Sequence, residues 1–305
     1  MARFGSRSWR LALAGAVAVG TCLLGPQGPG AEVRPLTLYE RTGRAPLVVR
    51  GEVLDGEHRF AVIRTLDLIK CTIPERPAAE FRIAYKLDSF LRRPWEDKIA
   101  FLDGERVILF LRKFTKEDGD QPEGDLYTLM WGAQGKHLLP VEGEEAQSGA
   151  VRTFAAILAE ADLDRQASML RREILSSNPF LAESALEEVL RQGLGDPQMI
   201  PDLLGLLANS RETLRVQSMR LMTRIFSDEK IAGRALANQQ DLADRIRARA
   251  ALDTSAALRV EGIRALTALG GDDLRAFLQR LAKDDPSQLV RYEAKKSLMG
   301  LDEGS

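Results

Sequence analysis

DPSQLVRYEAKKSLMGL, residues 285–301, reads as the second helix of a two-helix repeat. Setting Val290 above Leu258 and Leu214 gives three rows: VRYEAKKSLMGL, LRVEGIRALTAL and LRVQSMRLMTRI. The first position is apolar in each row (Val290, Leu258, Leu214) and the second is arginine (Arg291, Arg259, Arg215). The fifth is small (Ala294, Gly262, Ser218), and the ninth and twelfth are apolar. Positions one, five, nine and twelve share one stripe of a helix with 3.6 residues per turn. A small fifth residue admits a neighbouring helix at close range.

Each arginine is preceded six residues earlier by Asp285, Asp253 or Asn209. Such a residue can accept a backbone N–H at the start of the coming helix. It can also pair with an arginine of its own repeat or of the next. The row starts lie 44 and 32 residues apart, within the range of helical arrays. A fainter copy, LAESALEEVL from Leu181, lacks the arginine, as a terminal repeat can.

These rows resemble HEAT repeats, including the short bacterial form first noted in phycobilin lyases. Asp285-Pro286, Val290-Arg291, Glu293-Ala294 and Leu298 carry the resemblance, which covers about the C-terminal half. It implies an α-solenoid that serves as a binding surface.

Upstream the periodicity changes. Residues 1–31 have the form of an export signal, with Arg3, Arg7 and Arg10 ahead of the apolar stretch Leu11–Leu24. That stretch is short for a bilayer span. A lipid anchor on Cys22 is the lesser alternative, because Thr21 stands where a small Gly or Ala usually precedes the modified cysteine. The mature chain is therefore expected to be periplasmic or secreted, without a stable membrane span.

Residues 36–141 alternate with a period near two and form the expected β-domain. Strands are predicted over Leu47–Leu54, Arg59–Ile69, Glu80–Leu87, Arg106–Phe114, Asp125–Trp131 and His137–Val141. Phe81, Ile83, Tyr85 and Leu87 share one face of the third, so it is half buried. Val107–Leu111 is apolar on both faces, which marks a central strand. Five or six short strands suggest a small barrel of OB or netrin-like type. VVRGEV, LIK, GERVILFLRK and WGAQGK resemble the β-domain of many exported bacterial proteins, with Cys71 standing where that pattern has glycine. Residues 142–149, EGEEAQSG, read as a linker, and 150–302 as the HEAT-like solenoid. The fold class is thus two-domain, β then α.

Little in the chain points to chemistry. The formal net charge is −1, so no general attraction to nucleic acid is implied. Two cysteines, Cys22 and Cys71, exclude a disulfide framework and a multi-cysteine zinc site. His58 and His137 are the only imidazoles, and no hydrolase, dinucleotide or phosphate-loop motif occurs. Neither a catalytic residue, a metal ligand nor a cofactor is predicted. The carboxylates of Glu117–Asp125 lack EF-hand spacing and read as a solvated hairpin tip. Arg245, Arg247 and Arg249 are spread round a helix rather than clamped on one side. Trp95 reads as a loop aromatic folded onto the barrel.

On the repeat helices, position seven is basic (Arg220, Arg264, Lys296) and position four is Gln217, Glu261 or Glu293. The pairs lie three residues apart, so each acid can serve its own base. Alternatively the strip faces a protein partner, with Arg224 and Lys295 at its edges. Arg220, Arg224, Arg264, Lys295 and Lys296 are therefore the candidate partner-binding residues. The leading expectation is a non-catalytic scaffold of the bacterial envelope. An enzyme or accessory lyase, or a protease inhibitor built on a netrin-like barrel, are the alternatives.

Overall fold

Six strands alternate with turn-forming segments and then give way to helices. The structure is a computed structural model that describes residues 35–56, 60–85, 99–115, 125–228, 239–271 and 273–303. The strands are β1 (Leu47–Asp55), β2 (Phe60–Cys71), β3 (Glu80–Ala84), β4 (Arg106–Lys113), β5 (Leu126–Leu129) and β6 (Lys136–Leu138). Their order is β1-β2-β3-β5-β4, closed by an antiparallel β1–β4 pairing, with β6 added outside on β4. The β3–β5 pair is parallel and the others are antiparallel. A five-stranded barrel results, with no free edge inside the closure.

Alternation along β1 and β4 separates two cores. Leu47, Val49, Val107, Leu109 and Leu111 point into the barrel, where they meet Ile63, Phe81, Ile83 and Tyr127. Val48, Ile108 and Phe110 point outward into the apolar cluster of the helical half. β4 is therefore buried on both faces, as its unbroken apolar run predicts.

Two elements differ from expectation. A helix, α1 (Leu38–Arg44), precedes the barrel. It is nucleated by a reciprocal capping box: Glu40 N–H donates to Thr37 Oγ1, and Thr37 N–H to Glu40. Tyr39 then packs edge-on against Phe154 at 5.4 Å. The expected linker 142–149 is mostly helix instead. Helix α2 spans Glu144–Ala159, after Gly143 at φ 94°. Its polar start misleads because those residues are engaged rather than loose. Glu144 bonds Arg106 at 3.0 Å, Glu145 bonds Arg50 at 2.9 Å, and Gln147 and Ser148 are buried. Both acids also sit in the first turn, where the helix dipole favours them. Barrel and helices consequently pack against one another directly.

The remaining helices are α3 (Leu163–Glu173), α4 (Pro179–Gln192), α5 (Ile200–Leu206), α6 (Glu212–Phe226), α7 (Gln239–Leu252), α8 (Ala256–Leu269), α9 (Leu274–Asp284) and α10 (Gln288–Glu303). The three aligned rows fall on α6, α8 and α10. Two helices were expected between residues 228 and 252; α7 is one, and residues 229–238 lie outside those described. Gly262 marks the close approach predicted for the fifth position: a Cβ there would stand 2.6 Å from Ala250 Cβ on α7.

Candidate functional site

The recurring arginine is the element from which the helical surface is built. On each row its Nη1 donates to the two carbonyls of its own turn. Arg215 reaches Asn209 and Ser210 at 3.0 and 3.0 Å, Arg259 reaches Asp253 and Thr254 at 2.8 and 3.3 Å, and Arg291 reaches Asp285 and Pro286 at 2.6 and 3.1 Å. This fixes the guanidinium with its other edge turned toward the following repeat. Arg215 grips Asp253 by two bonds of 3.1 Å, and Arg259 grips Asp285 by bonds of 2.9 and 3.0 Å. The turn acid thus pairs with the arginine of the preceding repeat, not, as expected, with that of its own repeat or of the next. The same acid also orders its own turn: Asp253 accepts the Ser255 N–H at 2.9 Å and Asp285 the Ser287 N–H at 2.8 Å.

A second ladder runs beside the first. Arg220 on α6 donates to Glu261 on α8 at 2.8 Å. Arg264 on α8 holds Glu293 on α10 through bonds of 2.8 and 3.1 Å and touches its own Glu261 at 3.2 Å. Pairing within a repeat, as helical spacing alone suggests, is thus secondary to pairing between repeats. Glu261 and Glu293 are buried. The Arg264 guanidinium holds the Glu293 carboxyl below its ordinary range.

This geometry redistributes the candidate partner-binding residues. Arg220 and Arg264 are occupied as rungs. Arg224 donates to the Leu190 carbonyl at 2.7 Å and so closes the C-terminal end of α4. Lys295 and Lys296 on α10 are exposed, without a hydrogen bond or ion pair among the described residues. Arg245 and Arg249 are exposed, whereas Arg247 pairs with Asp244 at 2.6 Å.

No protein-family model matches the chain, and no curated protein matches it.

Cys71 and His137 stand on opposite faces of the sheet. Cys71 is opposite Leu47 and packs with the barrel interior, while His137 is opposite Ile108, which points outward. They do not form a nucleophile–base pair. His137 Nε2 instead lies 2.7 Å from Gln147 Oε1 on α2. Burial pushes its pKa down, helped by Arg41 and opposed by the Gln147 bond. Among the described residues no group of three or more His, Cys, Asp or Glu side chains is placed to hold a metal ion, and no helix is long and apolar enough to cross a membrane. The expected export signal with Cys22, and also His58, Trp95 and the carboxylates Glu117–Glu123, lie outside the described residues.

One polar cluster went unread in the sequence. Glu188 on α4 is fully buried, yet it accepts bonds from Thr37 at 2.9 Å, Gln192 at 2.6 Å and Arg191 Nε at 3.1 Å. Arg191 also contacts Glu40 of α1 at 3.2 Å. Burial and the Glu188 charge push the neighbouring Tyr39 hydroxyl up to about 12. The cluster ties α1 to α4, and the Thr37-x-x-Glu40 signature was its visible half.

Proposed function

We propose that the chain is a non-catalytic protein-binding module of the bacterial envelope, in which HEAT-like helices present the binding surface. The observation that carries this reading is the outer side of α10. Leu289, Tyr292 and Met299 are 57%, 64% and 64% exposed, and they fall on one helical stripe. Large apolar side chains grouped on a surface in this way mark an interaction site. Lys295 and Lys296 share that stripe, so from the candidate set these two remain available to a partner.

The barrel supports the resemblance read from the sequence. Closed order β1-β2-β3-β5-β4 with a parallel β3–β5 pair is the arrangement of OB-type barrels. Its interior is filled by side chains, and its outer face supports α1 and α2. In this reading it anchors the helical array. Export rests on the form of residues 1–31.

Crosslinking in intact cells that express the chain, followed by mass spectrometry, tests the reading. A defined partner joined through residues of the helical half is expected. Recovery of only unlinked, single-copy protein would overturn it.

A further inference from the structure

Among the described residues, both inter-repeat ladders reach α10 with the basic member present and no acid from a further repeat. Arg291 is held by the Asp285 and Pro286 carbonyls as Arg215 and Arg259 are held by theirs. Its remaining edge has no acceptor among the described residues, where Arg215 has Asp253 and Arg259 has Asp285. Lys296 stands in the place of Arg220 and Arg264; it interacts electrostatically with Glu293 of its own helix, but among the described residues no following helix brings it an ion pair as Glu261 and Glu293 do for those two. Tyr292 repeats the theme in apolar form. Its counterparts Val216 and Val260 are 8% and 5% exposed, whereas Tyr292 is 64% exposed.

We propose that the outer face of α10 docks a partner protein through a helix with an acidic start. The required chemistry is specified by the filled rungs. They supply an aspartate in the turn before the helix and a glutamate eight positions later, as in Asp253/Glu261 and Asp285/Glu293. The partner's aspartate grips Arg291, its glutamate meets Lys296, and apolar side chains between them cover Leu289, Tyr292 and Met299.

A second copy of this chain fits poorly. Arg291, Lys295 and Lys296 would face their own like charges, and the two Asp–Glu pairs of this spacing on the aligned rows, Asp253/Glu261 and Asp285/Glu293, are already engaged within the fold. Lys295 replaces the buried Met219 and Ile263 of the inner rows, so the face does not simply continue the stack. This inference rests on the protein-binding reading above and narrows it to one face and one partner chemistry.

The test uses the full chain and a defined probe: a fluorescent, lactam-stapled helical peptide of residues 253–269, which carries Asp253 and Glu261. Saturable binding is expected, weakened at least about tenfold by the double variant Arg291→Glu, Lys296→Glu. Lys296 is exposed, but Arg291 is half-buried and bonded to its own turn, so the variant's melting temperature is measured beside its binding, and a charge-reversed peptide separates a lost contact from a disturbed turn. A peptide with Asp253→Arg and Glu261→Lys should restore binding to that variant. Absence of saturation up to about 1 mM, or binding indifferent to the charge reversal, would overturn the inference. So would sedimentation of the wild-type chain as a dimer that the double variant dissolves, since the occupant would then be a second copy. A partner crosslinked elsewhere on the helices, with no peptide binding, sinks the inference alone. Absence of any partner sinks the broader reading as well.

Discussion

Arg259 and Asp285 form the best-buried rung of the array: two parallel bonds of 2.9 and 3.0 Å join side chains only 9% and 3% exposed. Asp285 simultaneously orders the turn that starts α10. Its removal leaves a buried guanidinium without its counter-charge and a turn without its acceptor. Asp285→Ala should therefore cost about 3–5 kcal/mol. By contrast, Arg220 is 53% exposed although it pairs with Glu261. Its replacement by Ala should cost about 1 kcal/mol or less. Urea denaturation of both variants measures the difference, and equal losses would refute this ranking.

Gly262 should tolerate no methyl group. The added Cβ would lie 2.6 Å from Ala250 Cβ and 3.2 Å from its Cα, neither of which can swing away. Overpacking of this kind costs about 1–3 kcal/mol. Replacing glycine by alanine inside a helix returns only about 1 kcal/mol. Gly262→Ala is expected to lower the melting temperature, even though the same change at an unpacked helical site would raise it.

His137 predicts a pH dependence. Burial holds its folded pKa below the ordinary 6.5. Between the two values the unfolded chain binds the extra proton, so stability rises with pH across that window. The contribution is complete above about 6.5 and is lost as pH falls through the folded pKa. His137→Gln should flatten the denaturation midpoint between pH 7 and about 5 relative to wild type. An unchanged slope would show that this imidazole is as readily protonated folded as unfolded.

Glu293 acts at lower pH. The Arg264 pair holds its carboxyl below the ordinary 4.5, so its contribution is present above 4.5 and lost as pH falls through the folded value. Glu293→Gln should be less stable than wild type at neutral pH, with the gap narrowing toward pH 3 or so. A gap constant over that range would assign the loss to packing rather than to charge.

Much of this was legible because the repeat writes the same physics three times. The apolar stripe, the small fifth residue and the turn acid each report a local requirement, and each appears at its place. β4 was equally plain, since five successive apolar residues fit only a strand covered twice. What stayed hidden depends on partners distant in sequence. Glu261 lies three residues from Arg264 but meets Arg220, forty-one residues away, at 2.8 Å. Residues 142–149 looked like a linker because composition does not reveal that Arg50 and Arg106 await Glu145 and Glu144. Glu188 hid inside an ordinary amphipathic helix, for only the tertiary fold brings Thr37 to it.

The rungs also confer a direction on the array. Arg215 and Arg259 each take their anchorage from their own turn and their counter-ion from the repeat that follows. Severing α10 with its turn would strand Arg259, while severing α6 would strand Asp253 and take Arg220 from Glu261, which keeps Arg264. Fraying from the two ends should accordingly differ in kind: loss of α10 with its turn takes the counter-charge from a buried cation, whereas loss of α6 takes the cation from a carboxylate.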